Sequence, residues 1–216
     1  VGADRHDQLA IIAVLGRRQR LLAAAAALLA LVFAIDAWLR WVGPLPGDRA
    51  AADGTWKPWR YPGDIRSLVG FFDTLATPWI AAGTVLALAL IAAENLGRRA
   101  AVTIVAASGV VVLNALLKHL FGPTPLWDAH HDVGLNFPSG HVAYATAVFG
   151  AVAWLAAGRR QRAIVATAIS LILLMGVDRV VSRAHLPSDV IAGYLVGGAW
   201  LCLVLACVPA IRGRSV

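Results

Sequence analysis

Two histidines in this 216-residue chain sit where chemistry is possible. In "DRVVSRAHLPSDVIAG", residues 178–193, His185 and Asp189 are four apart. If a helix includes His185, that spacing stacks them on one face, and the carboxylate takes the imidazole Nδ1 proton. Such a bond fixes the tautomer, leaves Nε2 as a lone pair and stabilises the imidazolium. Pro187 suits the first turn of the helix, where its missing N–H costs nothing. A His-x-x-x-Asp pair alone reads as structural more often than catalytic; its position at an outward-facing helix end beside Arg179 and Arg183 favours the catalytic reading.

The second histidine is in "LNFPSGHVAYATAV", residues 135–148, where an apolar run begins. Ser139 is placed to serve as its N-cap. The unpaired N–H groups of Gly140 and the next residues, with the positive end of the helix dipole, form an anion site. Gly140 lets the backbone approach a bound group. His141, His185, Asp189, Lys118 and Arg179 together suit phosphoryl transfer, with a nucleophile, an acid and positive donors for the equatorial oxygens. Which histidine attacks and which protonates stays open on this reasoning. No metal or other cofactor is expected, because the histidines sit beside cationic groups and not in a cluster with carboxylates.

The elements that must position these residues are membrane helices. Hydrophobic residues make up 59% of the chain and charged residues 14%, far below the quarter or so of a soluble domain. The net charge of +7 does not indicate nucleic acid, since the arginines fall in short clusters between apolar runs. A spanning helix needs about 20 mainly apolar residues, and such runs lie at roughly 21–41, 70–93, 100–117, 141–157, 163–178 and 189–208. The first nine or ten residues read as polar and loose. "LAIIAVLG" after them reads as a short interfacial helix or packed end. The segment from Arg17 is long enough to be a retained span and not a cleaved leader.

Arg17, Arg18 and Arg20, then Arg98 and Arg99, then Arg159, Arg160 and Arg162, then Arg212 and Arg214, all fall on one side of six spans. That side is the cytoplasmic one, with both termini inside. Trp38, Trp41, Trp56, Trp59, Trp79 and Trp127 gather towards the other face as an interfacial belt. The outer segments are 42–69, which reads as lying along the membrane surface, 118–140 and 179–188. Four helix ends thus bring Lys118, His141, Arg179 and Asp189 to one face. Cys202 and Cys207, five apart on the last span, point to different faces and read as packing residues.

These motifs resemble the type 2 phosphatidic acid phosphatase (PAP2) superfamily, whose pattern is Lys-x6-Arg-Pro, Pro-Ser-Gly-His and Ser-Arg-x5-His-x3-Asp. The second part is complete as Pro138-Ser139-Gly140-His141, and the third matches at Arg179, His185 and Asp189. The resemblance implies a single all-α domain over 1–216, a PAP2-like bundle of about six transmembrane helices in the plasma (bacterial inner) membrane. It implies metal-independent hydrolysis of a lipid phosphate or diphosphate on the outer face. By it, His185 forms a phosphohistidine, Asp189 orients it and His141 protonates the leaving oxygen. Lys118, Ser139, Gly140 and Arg179 bind phosphate. The partners so implied are the bilayer and a lipid phosphate, with no nucleic acid and the oligomeric state left open.

There are two departures from the pattern. The first motif matches only at Lys118: Pro125 stands where the family has Arg, or Thr124 does if the loop is one residue shorter. Arg183, or His130 or His131 in "WDAHHDVG", is a candidate substitute, though the two histidines read first as exposed loop residues. Asp178 stands in place of Ser, where it can hold the Arg179 guanidinium while weakening the local positive field. Candidate substrates are undecaprenyl diphosphate, phosphatidylglycerophosphate and phosphatidic acid. The competing readings are a lipid phosphotransferase on the same scaffold and a non-enzymatic lipid-binding or transport protein.

Overall fold

The computed structural model describes residues 2–52, 71, 74, 77–124, 137–182 and 184–208, with side chains from Val14 onward. The described elements are all helical: α1 Gly2–Trp41, α2 Asp48–Ala52, α3 Pro78–Leu96, α4 Arg98–Ser108, α5 Val110–Phe121, α6 Gly140–Ala157, α7 Arg162–Val181 and α8 Pro187–Cys207. Among the described residues six helices are long and apolar enough to cross a membrane, with α4 and α5 together forming the third.

Two boundaries depart from the expectation. The loose start and the separate "LAIIAVLG" segment are absent, because one helix runs unbroken from Gly2 to Trp41. Ala, Leu, Arg and Gln all favour helix, and the single Gly16 costs only about 1 kcal/mol. The second span begins at Pro78 and not near residue 70. Proline cannot donate into a preceding turn and holds its neighbour extended, and Thr77 is extended at φ −62°, ψ 140°.

The third span is interrupted at Gly109, where α4 meets α5. A Cβ there would lie 2.9 Å from the Trp200 ring. The Trp200 indole N–H donates at 2.8 Å to the Ala106 carbonyl, which also accepts the Gly109 N–H at 3.1 Å, so α8 is tied to the helix break.

The core is built of small residues. Ala143, Ala147 and Ala151 of α6 pack with Ala192 and Val196 of α8, Val32 of α1 and Leu117 of α5. A Cβ on Gly193 would lie 2.8 Å from the Ser139 carbonyl oxygen and 2.9 Å from Val142 Cβ. One on Gly197 would lie 2.6 Å from the Ala143 carbonyl oxygen. This Gly-x-x-x-Gly pair lets the backbones of α6 and α8 touch, as helices do in lipid, where no hydrophobic force drives them together. α1 runs antiparallel to α8: Leu28 abuts Gly198, and Gly47 abuts Pro187.

Outside this core, Leu86, Leu90, Val102, Val112, Leu116, Leu120, Leu173 and Val177 are exposed. They form an outer surface suited to lipid tails and costly in water. Trp41 and Trp79, 87% and 86% exposed, stand at the bundle end that carries the two histidines, as an interfacial belt requires. At the opposite end Arg17 lies over the Trp154 ring at 5.6 Å. Cys202 and Cys207 are free thiols. Trp56, Trp59, Trp127, Arg212 and Arg214 lie outside the described residues, as does most of segment 42–69 beyond α2.

Candidate active site

The turn carrying His185 is tied to the end of α7. The N–H groups of Ala184 and His185 both donate to the Arg179 carbonyl, at 3.1 and 3.0 Å. His185 therefore precedes α8, which starts at Pro187, so the expected helical stacking on Asp189 does not occur. The pair forms by another route. Asp189, in the first turn of α8, folds back so that Oδ2 accepts the Leu186 N–H at 3.0 Å and lies 3.3 Å from His185 Nδ1. One carboxylate thus caps the helix and holds the imidazole. His185 Nε2 hydrogen-bonds to none of the described residues. His185 is 6% exposed and Asp189 fully buried.

The start of α6 docks on the same place. The Ser139 N–H donates to the Asp189 carbonyl at 3.0 Å, so the two histidine-bearing segments are bound backbone to backbone. Ser139 occupies the N-cap position with extended backbone, φ −65° and ψ 115°, but its side chain does not cap. Its Oγ is buried and hydrogen-bonds to none of the described residues. The expectation of a capping hydroxyl is corrected: the Ser139 side chain does not take the first N–H groups of α6. Gly140 is close-packed too. A Cβ on it would lie 3.0 Å from Asn114 Nδ2, so its small size admits an amide from α5.

Asn114, buried in α5, went unnoticed in the sequence. Its Nδ2 reaches the Pro138 carbonyl at 3.5 Å, and it lies one turn before Lys118. A lone amide in an apolar span is the signal that marks it. Lys118, in the last turn of α5, lies within electrostatic reach of Asp189. Arg179 is 2% exposed, and its Nε donates to Asp178 Oδ2 at 2.8 Å. The acid therefore holds the guanidinium as expected of it. Lys118, Ser139, Gly140, His141, Arg179, His185 and Asp189 all lie at this end of the bundle. Arg183, His130 and His131 lie outside the described residues.

A further residue also escaped notice. Asp48 is fully buried, with Oδ1 accepting the Ser188 N–H at 2.9 Å and Oδ2 the Leu45 N–H at 2.9 Å. It caps α8 from outside, taking the Ser188 N–H in the first turn. Burial pushes its carboxyl above the ordinary value, and the hydrogen bonds from Ser188 and Leu45 oppose the rise. Among the described residues no group of three or more His, Cys, Asp or Glu could hold a metal ion.

A bundle of six spans, two histidines on adjoining helix starts and an Asp that caps one of them define a membrane member of the PAP2 superfamily. The family model matches residues 99–212, more than half of the chain, and the chain belongs to that superfamily. It is similar to the lipid A 1-phosphatase of Rhizobium johnstonii, 46% identical over 83 residues, 38% of this chain and 32% of that protein. It is also similar to the lipid A 1-phosphatase of Rhizobium etli, 43% identical over 94 residues, 44% of this chain and 37% of that protein. These matches span about a third of the relatives' length. The crystal structure of a transmembrane PAP2-type phosphatidylglycerolphosphate phosphatase from Bacillus subtilis shares the fold at a TM-score of 0.68 and 18% identity, covering 84% of this chain and 94% of that one.

Proposed function

We infer that this multi-pass membrane protein is a lipid phosphate phosphatase, working as one integral-membrane unit over residues 1–216. The observation that carries the reading is the His185–Asp189 pair beside the buried, unengaged Ser139 hydroxyl. Asp189 Oδ2 holds Nδ1 at 3.3 Å, which leaves Nε2 as the nucleophilic lone pair. Nε2 attacks phosphorus, the P–O bond to the lipid breaks, and a phosphohistidine forms. His141 gives its proton to the leaving oxygen and then takes one from the water that attacks phosphorus. That attack frees His185 and releases inorganic phosphate. Asp189 orients the ring and stabilises the charge it gains during attack.

Lys118, Arg179, the Ser139 hydroxyl and the N–H groups at the start of α6 gather the phosphate oxygens. The Asp178 pair keeps Arg179 in one geometry. The residues at this end carry the chemistry without a metal ion, and EDTA is expected to leave activity intact.

The arginine clusters favour a topology with the termini in the cytoplasm and the site on the outer face of the inner membrane. Undecaprenyl diphosphate, phosphatidylglycerophosphate and phosphatidic acid are the substrates to test, and lipid A joins them through the rhizobial relatives. The experiment is phosphate release from this panel in detergent with EDTA, with His185→Ala and His141→Ala run beside the wild type. Release by wild type alone supports the reading. No release from any lipid by folded protein refutes it, and a product formed only with a lipid acceptor makes the protein a phosphotransferase.

A further inference from the structure

A cavity of about 320 Å³ lies beside the His185 turn, between the end of α1, the start of α2 and the chain after α5. Arg40, Arg49, Thr124 and Leu186 line it. Leu186 adjoins His185 in the chain, about 3.8 Å away from Cα to Cα.

The polar groups there exceed what the fold uses. Arg40 donates through Nε to both Asp36 oxygens, at 3.0 and 2.9 Å, and through one Nη to the Phe121 carbonyl. Its other Nη hydrogen-bonds to none of the described residues, so a rigidly held guanidinium keeps one arm unused. Arg49 is exposed and forms no ion pair with the described residues. Thr124 is 2% exposed, and its hydroxyl oxygen has no hydrogen-bond partner among them. A buried hydroxyl without a partner costs about 1–3 kcal/mol, a cost that a ligand oxygen would remove.

Two carboxylates lie close by, but both are engaged. Asp36 is paired with Arg40, and the Asp48 oxygens face the Ser188 and Leu45 N–H groups. Asp48 itself lines the cavity and Asp36 offsets the Arg40 charge, so the open charge is the Arg49 guanidinium, with the unused Arg40 Nη as a further planar donor. Planar donors of this kind match the oxygens of a phosphate.

We propose that this cavity is a second anion subsite, in which Arg40, Arg49 and Thr124 hold a further phosphate of the same lipid whose terminal phosphate meets His185. The inference rests on the phosphatase reading and narrows its substrate class. Favoured lipids carry a second phosphate besides the one that meets His185. A lipid with one phosphate leaves the subsite unfilled.

The test compares phosphatidylglycerophosphate with phosphatidic acid of the same acyl chains, using the full chain in detergent micelles. Arg49→Gln lowers kcat/KM for the first relative to the second by roughly fivefold, and Arg49→Lys recovers part of the loss. An unchanged ratio in Arg49→Gln overturns the proposal. Arg40→Gln moves the ratio the same way if it folds, and Arg49, being exposed, decides the matter if it does not.

A second measurement separates this idea from the hydrolase reading. Calorimetry with glycerol 1,3-bisphosphate and glycerol 3-phosphate, which carry two phosphates at the spacing of the first lipid and one, needs no turnover. Arg49→Gln weakens bisphosphate binding roughly fivefold while monophosphate binding moves less. Equal weakening of both anions, or of neither, overturns the subsite even if the wild type hydrolyses lipids. If it hydrolyses none, the bisphosphate result still decides.

Discussion

Replacing Gly193 by Ala tests whether the contact between α6 and α8 sets the reaction geometry. The added methyl would sit 2.8 Å from the Ser139 carbonyl oxygen and 2.9 Å from Val142 Cβ, whereas ordinary contact begins at 3.4 Å. Both neighbours are in the first residues of α6 or just before it, and neither is the far end of a flexible chain. The start of α6 must therefore retreat by about 0.5 Å, since packed interiors transmit such strain. Ser139 and His141 move with it, while His185 stays in the turn before α8. A misplacement of about 1 Å can cost about 10²-fold in rate, so half of that is worth about tenfold in kcat.

The assay is phosphate release by micellar lipid substrate, with thermal melting to verify folding. Gly198→Ala is the control, because its methyl would meet only the Leu28 side-chain end, at 3.4 Å. Gly193→Ala with wild-type kcat and an unchanged melt would refute the claim that this crossing positions the site. A variant that melts far lower and loses activity only in proportion to unfolded protein would refute it equally.

Other outcomes follow from the same geometry. His185→Ala and His141→Ala each reduce phosphate release by at least ~10²-fold, and only His141→Ala retains the capacity to form an acid-labile phosphoenzyme, read by rapid quench with radiolabelled lipid. Asp189→Asn loses rate through the wrong imidazole tautomer and stability through the weakened cap at Leu186, about 1 kcal/mol for the cap alone, measured by activity and melting together. Asp48 titrates with the fold. Its folded pKa lies above the ordinary 3.8, so the native state binds the proton more tightly, and its contribution to stability falls as pH rises from 3.8 through the raised value. Melting of the wild type relative to Asp48→Asn is accordingly most favourable at the acid end of that window and declines upward, and a flat difference refutes the assignment.

The spans were legible because the bilayer demands long apolar runs, and the bundle places four of the six within a few residues of where composition put them. Pro78 shows the limit: proline fixes a helix start more sharply than an apolar run, which simply continued through Phe71. The histidine pair was legible for a partly mistaken reason. Spacing of four was read as a helical face, yet the helix starts two residues after His185, and the cap at Leu186 brings Asp189 round to the ring. Ser139 was placed correctly and its hydroxyl was not, because N-cap preference says nothing about what else can take the donors. Asp48 and Arg40 stayed hidden because the partners that matter here, Ser188 and Phe121, lie far away in sequence; Asn114 had a signal, a lone amide in an apolar span, but its partner Pro138 only the fold reveals. The Gly193–Gly197 spacing was visible in the letters and still missed, because only the crossing with α6 gives it meaning.

The Asp48–Ser188 bond joins residues 140 positions apart, and it bears on how this protein can be divided. The region matched to the family begins at residue 99, so the helix end that holds Asp189 is completed by a carboxylate from outside the motif-bearing half. That half is therefore not an interchangeable cassette. Grafted behind another protein's first two spans, it would carry every recognisable motif and still leave a buried N–H at Ser188 without an acceptor. Expressed as two separate fragments, the halves would have to find each other in the membrane before α8 acquired its finished terminus. A chimera that restores only an Asp at the position of Asp48 has the best chance of recovering it.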